Sequence, residues 1–233
     1  MTRHILLINP NSSQSTSAMM RTIAQMAAKD ALAVAVATAE RSPPMIVTED
    51  DLVAAADEVV EIGRRHATDC VGIVVSAFGD PGLDDLRRLV DIPVVGIGEA
   101  SMRVAAQNER LFGVATTTPL LVDAVKERAK ALGLTGLLTG IRCTAGDPTA
   151  LTNDKVALTQ ALGEMVEACI TADKAQAVII GGGPLGEAAE TLETRFSIPV
   201  IAPIPCAIAS LLEQIPNAQP RGGGRQGQPI RIR

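Results

Sequence analysis

Short apolar, β-branched runs alternate along the chain with longer stretches in which apolar residues recur every three or four positions. Ile5–Ile8, Leu32–Ala37, Val71–Val75, Pro93–Ile97, Leu111–Ala115, Leu134–Ile141, Ala177–Ile180 and Pro199–Ile201 read as strands. Between them, Leu52, Ala55, Ala56, Val59 and Val60, and again Leu158, Ala161, Leu162, Met165 and Val166, lay an apolar stripe along one side of a helix. This alternation predicts an α/β fold with mainly parallel sheets. Eight strands in 233 residues suit either a small (β/α)8 barrel or two open sheets.

An internal repeat favours two open sheets. Ile73–Phe78, a turn, a helix and then Asp91–Gly96 are echoed by Val178–Gly183, a turn, a helix and then Ser197–Ala202. Each half also carries an earlier strand that ends in a polar, Pro-containing loop, Ile8-Asn9-Pro10-Asn11-Ser12 in the first and Val114-Ala115-Thr116-Thr117-Thr118-Pro119 in the second. The expected architecture is two pseudo-symmetric Rossmann-like lobes, residues 1–100 and 101–204, with a cleft between them. The boundary falls near 98–110, and a helix at about 205–214 is placed to return onto the first lobe. From Pro216 the composition turns to Gly, Pro, Gln and Arg, which reads as a disordered basic tail over 216–233.

Composition narrows the partner. With 47% hydrophobic residues the chain can bury a core without metal or disulfide staples. It has three Phe and neither Trp nor Tyr, so base stacking has few residues to work with. The net charge is −5, and −9 once Arg221, Arg225, Arg231 and Arg233 of the tail are set aside. Nucleic acid is therefore not the expected partner; a small molecule is. The apolar run near the start is only four residues long, too short for a signal-peptide core or a membrane span, so a cytoplasmic, non-membrane protein is expected. Cys70, Cys143, Cys169 and Cys206 are scattered and only His4 and His66 could join them, which leaves no zinc-ligand spacing.

In open parallel sheets, ligands gather beyond the carboxyl ends of the strands. Four such ends carry candidate chemistry. Asn9 and Asn11 offer carboxamides ahead of Ser15 or Thr16 as helix caps, and Thr116, Thr117 and Thr118 offer hydroxyls ahead of Pro119. Ser76-Ala77-Phe78-Gly79-Asp80 and Gly181-Gly182-Gly183-Pro184 allow close approach of backbone to a ligand. Gly181, Gly183 and Gly186 satisfy G-x-G-x-x-G, yet no acid ends the following strand Val200-Ile201-Ala202 to hold a ribose, so a dinucleotide is not expected. Asp80 reads as a turn or cap residue, and Glu99 as either a helix-start acid or an acid facing the cleft.

Ile8-Asn9-Pro10-Asn11-Ser12-Ser13, Phe78-Gly79-Asp80-Pro81-Gly82-Leu83, Ile92–Ala100 and the Thr116-Thr117-Thr118 loop, in this order and strand context, resemble the hydantoin and allantoin racemase branch of the aspartate/glutamate racemase superfamily. The resemblance spans about residues 3–215. It implies a site between two lobes, a small carboxylate, hydantoin or ureide as substrate, no metal and no pyridoxal phosphate, and homo-oligomerisation. It also implies a cysteine at the end of each central strand, the pair exchanging a proton across the substrate's stereocentre. Those two positions fall on Ala77 and Gly182, neither of which carries a proton. Cys206, expected at the start of a helix whose N-terminus would lower a thiol pKa, is the candidate substitute. The residues expected to touch the ligand are Asn9, Asn11, Ser76, Phe78, Gly79, Thr116, Thr117, Thr118, Gly181, Gly183 and Pro184. Racemase-type acid/base chemistry is the expectation, with lyase, decarboxylase or hydrolase chemistry, or binding alone, as the alternatives.

Overall fold

The computed structural model describes residues 3–216 and contains two four-stranded parallel sheets of the same order. In the first, β1 (His4–Asn9), β2 (Ala33–Thr38), β3 (Gly72–Val75) and β4 (Val94–Gly96) lie in the order β2-β1-β3-β4. In the second, β5 (Phe112–Thr116), β6 (Leu138–Cys143), β7 (Ala177–Ile180) and β8 (Val200–Ile201) lie in the order β6-β5-β7-β8. The repeat seen in the sequence is thus a repeat of topology.

Helices cover both faces of each sheet, which is why the central strands are apolar at consecutive positions. Ile5 and Leu7 join a core with Met20 and Ile23 of α1 (Gln14–Ala28), while Leu6 and Ile8 face Val59 and Ile62 of α2 (Glu49–His66) and Leu86 of α3 (Leu83–Leu89). In the second lobe, Val178 and Ile180 pack on α7 (Lys155–Thr171) and α8 (Gly186–Glu193), whereas Ala177 and Ile179 meet Val125 and Ala129 of α5 (Val122–Ala131). The short α6 (Pro148–Thr152) precedes α7.

Two helices lie between the sheets. α4 (Ile97–Ala105) carries the chain from the first sheet to the second, with Ile97 and Ala100 in one core and Met102 and Ala105 in the other. α9 (Pro203–Gln214) follows the last strand of the second sheet, yet its Ile204, Ala207, Ile208 and Leu211 belong to the core of the first. Phe78, three residues beyond β3, crosses the other way and packs with Phe112, Val114 and Ile201 of the second lobe.

Local signals account for most boundaries. Thr48 and Asp51 form a capping box at the start of α2, and Ser13, rather than Ser15 or Thr16, caps α1 by accepting from the Thr16 N–H at 3.2 Å. The largest departure is β6, expected from Leu134 but beginning at Leu138. Residues 132–137 instead close α5: Gly133 takes a left-handed φ of 71° and the Leu134 N–H returns to the Ala129 carbonyl at 2.8 Å. Of the expected tail, residues 217–233 lie outside the described residues. Among the described residues, no helix is long and apolar enough to cross a membrane, and no cluster of His, Cys, Asp and Glu could hold a metal ion.

Candidate functional site

The carboxyl ends of β1, β3, β5 and β7 meet at one cavity of about 540 Å³, its open mouth included. The first lobe lines it with Asn11 and with Ser76, Ala77, Phe78 and Gly79; the second with Thr117, Thr118, Gly181, Gly182 and Gly183. Ten of the residues singled out in the sequence therefore share one wall. Asn9, Thr116 and Cys206 do not line it, and each of these has another setting.

Asn9 is fully buried and acts as a hub. Its Nδ2 donates to Asn11 Oδ1 (2.9 Å), to the Ser13 carbonyl (3.2 Å) and to Ser17 Oγ (2.9 Å), while its Oδ1 accepts from the Asn11 N–H (3.1 Å). Because Asn11 Oδ1 also accepts from the Ser13 N–H at 3.0 Å, the amide nitrogen of Asn11 is the group left for a ligand. Asn9 thus positions Asn11 rather than touching the ligand. Thr116 has a similar role: its hydroxyl donates to the Gly181 carbonyl at 2.7 Å and lies 3.2 Å from that of Thr118, tying the two loops of the second lobe together. Among the described residues, the Thr117 hydroxyl makes no hydrogen bond to protein. Pro184 sits in the short turn Gly183–Leu185 that leads into α8.

Cys206 is a correction. It is the fourth residue of α9, packed between the two cores, and it is not among the cavity residues. Burial pushes its thiol up to about 11, opposite to the lowering expected at a helix start. Ser76 lines the cavity, but its hydroxyl donates to the Met20 sulfur at 3.1 Å and is turned toward α1. At the two positions where the family resemblance implies a cysteine pair, Ala77 and Gly182 bring only a methyl group and bare backbone to the cavity.

Three groups of lining residues escaped the sequence reading. Met45 and Ile46 come from the segment between β2 and α2, Leu52 from the first turn of α2, and Leu121 and Leu185 from turns of the second lobe. The Pro43 carbonyl holds this segment to the loop after β1 by accepting from the Ser12 N–H at 3.1 Å, and the Thr149 hydroxyl of α6 meets the Met45 sulfur at 3.6 Å across the cleft. Nothing periodic marks residues 43–48 in the sequence, so only the fold brings them here. Glycines let these side chains come close. A Cβ on Gly79 would stand 2.7 Å from Leu52 Cδ1, and one on Gly182 would stand 2.9 Å from Leu185 Cδ1.

Among the described residues, none of the side chains lining this cavity is ionisable. The nearest buried acid, Asp80, faces away and caps α4, accepting from the N–H groups of Gly98 (2.8 Å) and Glu99 (2.7 Å), with Arg128 of the second lobe 3.5 Å from its Oδ2. Burial pushes Asp80 up to about 7, against the pull of Arg128 and of the two N–H groups. Glu99 pairs with Arg87 (2.8 Å) and Arg103 (3.1 Å). Burial raises its pKa, but the two arginines prevail and hold the carboxyl below its ordinary range. Of its two readings, the helix-start acid is the one realised. The donors offered to a ligand are therefore neutral: the Asn11 amide, the Thr117 hydroxyl and the N–H groups of Phe78 and Gly79, which make no hydrogen bond to protein among the described residues.

Residues 5–211 match the Asp/Glu/hydantoin racemase family. The chain is 27% identical to a hydantoin racemase from Paenarthrobacter aurescens over 207 residues, 87% of each protein. Among solved structures it is similar to allantoin racemase from Klebsiella pneumoniae, with a TM-score of 0.85 and 25% identity over 97% of each chain. It also shares its fold with arylmalonate decarboxylase, at a TM-score of 0.61 and 20% identity over 97% of this chain and 96% of that one.

Proposed function

Because the chain belongs to the Asp/Glu/hydantoin racemase family, we propose that it takes a small hydantoin, ureide or related carboxylate into the interlobe cleft and acts there on a carbon centre without a resident cofactor. The observation that carries this reading is the lining, in which strand-end loops of both lobes bring neutral donors to one cavity. Such donors meet carbonyl or carboxylate oxygens, where negative charge develops when a bond to the adjacent carbon breaks. A homo-oligomeric, cytoplasmic setting and a division near residue 100, with α9 completing the first lobe, go with this reading.

Racemisation by two groups needs a base on one face of the carbon and an acid on the other. Ala77 and Gly182 supply neither, and no neighbouring side chain of the lining does. That favours a second reading for the same cleft: capture of the ligand, or cleavage of a bond to carbon, without side-chain proton exchange.

Incubation in D2O with 5-substituted hydantoins, allantoin and amino acids, followed by NMR at the α-proton, separates the two. Racemase chemistry gives deuterium at the α-carbon, lyase or hydrolase chemistry gives a new product, and capture gives only thermal stabilisation by the ligand. An Ala77→Cys, Gly182→Cys double variant belongs in the same experiment. Gly182 has φ 162°, extended backbone open to any residue, and the Leu185 side-chain tip is the nearest neighbour that must give way. Deuterium uptake by the variant alone is the expected result. No stabilisation, exchange or product from either protein would refute the proposed ligand class.

A further inference from the structure

Resting on that reading, we propose that Leu185, with Leu121 and Met45, makes the cleft selective for a ligand whose substituent is uncharged and apolar, rejecting polar substituents on the same ring and free amino acids. Two observations of the lining lead here. The first is the space above Gly182. Leu185 Cδ1 and Cγ lie 2.9 and 3.0 Å from where a Cβ would stand, so the side chain of Leu185, itself 2% exposed, takes the place of a side chain at 182. This face of the cavity is hydrocarbon. The second is the pair Met45 and Ile46 ahead of α2, with Leu52 in its first turn, which line the cavity together with Leu121 of the second lobe.

The neutral donors define the other end of the ligand. The Asn11 amide, the Thr117 hydroxyl and the N–H groups of Phe78 and Gly79 suit ring carbonyl oxygens. An α-ammonium group has no carboxylate in the lining to pair with, and Asn11 Oδ1, its closest acceptor type, is already engaged by Asn9 and Ser13. Carrying an unpaired charge into such a cavity is unfavourable. A ureido group laid against Leu185 and Met45 loses its hydrogen bonds to water without replacement, whereas an isobutyl group of similar size gains from leaving water.

The test holds the ring constant. Calorimetric titration of the full chain compares 5-isobutylhydantoin with allantoin, the hydantoin bearing a ureido group at the same carbon, and with leucine. Expected are at least tenfold tighter binding of 5-isobutylhydantoin than of allantoin, and no detectable binding of leucine. In Leu185→Asn the preference between the two rings falls toward unity; because Leu185 also packs in a core, Leu121→Asn, at a partly exposed turn, serves as the second variant with the same expected direction. Allantoin binding as tightly as 5-isobutylhydantoin, leucine binding in the same range, or an unchanged preference in both variants would overturn the inference while leaving the hydantoin and ureide reading intact. Failure of every ring compound to bind would instead refute the reading itself, and the inference with it.

Discussion

Replacing Arg128 by Met removes the cation that reaches the buried carboxylate of Asp80 while keeping a long apolar stem in place. Asp80 is fully shielded, the Arg128 side chain is 12% exposed, its Nε lies 3.5 Å from Asp80 Oδ2, and its Nη2 donates to the Asp80 backbone carbonyl at 3.4 Å. Breaking a buried pair costs about 3–5 kcal/mol, and the lower figure applies to a contact too long for a hydrogen bond. The loss depends on pH in a definite direction. Burial has raised Asp80 from 3.8 to about 7 in the folded protein, so its proton contributes stability that is fully present below pH 3.8 and lost as pH rises through 7. Without Arg128 the folded-state value climbs further and the decline continues to higher pH. At pH 5.5 the carboxyl is protonated in both proteins, and the variant loses little beyond the long bond to the Asp80 carbonyl at 3.4 Å and the half-exposed contact with Asp84 at 3.2 Å, together worth about 1 kcal/mol. At pH 8.5, 1.5 pH units above 7, protonation of Asp80 in the variant limits the pH-dependent part to about 2 kcal/mol, which with the pH-independent contacts makes about 3 kcal/mol. Thermal melts should show a drop of about 6–12 °C at pH 8.5, from roughly 2–4 °C per kcal/mol in a chain of this size, and less than half of that at pH 5.5. Equal drops at the two pH values, or a larger one at pH 5.5, would refute the assignment of a raised pKa to Asp80.

Two further substitutions probe the site directly. Thr116→Val keeps the shape of the side chain but leaves the Gly181 carbonyl without its 2.7 Å donor; a loss of about 1–2 kcal/mol in a melt and several-fold weaker binding of 5-isobutylhydantoin are expected, and unchanged affinity would show that this bond does not set the 181–183 loop. Cys206→Ala should leave ligand binding and any turnover unchanged and cost at most about 1 kcal/mol of stability, since the thiol is packed between cores away from the cavity; abolished turnover in a folded variant would restore Cys206 as a catalytic candidate.

Much of the architecture was legible in the chain because its signals are local. Consecutive apolar residues such as Ile5–Ile8 and Ala177–Ile180 specify strands covered on both faces, and the recurrence of strand, turn and helix between Ile73–Gly96 and Val178–Ala202 specifies two like sheets. The strand-end loops could be found in the same way, since Asn, Thr and Gly after a β-branched run mark a turn whatever follows. Turn chemistry also explains the miss at β6, where Leu134–Leu137 carry the apolar pattern of a strand but close the preceding helix through Gly133.

What a side chain does at such a loop depends on partners far away in sequence, and there the chain alone was silent. Asn9 and Asn11 look equivalent in sequence, yet Ser17 and Ser13 claim the first and leave the amide of the second to the cavity. Leu185 and Met45 carry no periodic mark and became lining only when the two lobes closed on each other. Cys206 follows a strand as a reactive cysteine would, but packing between two cores desolvates its thiolate. The sequence by itself determined the elements and their repetition, and it carries Ala77 and Gly182 where the family resemblance implies an acid/base pair. Tertiary structure decided which polar groups remain free, which leucines face the ligand and which acid is buried, because hydrogen-bond saturation and desolvation are properties of neighbours in space rather than neighbours in the chain.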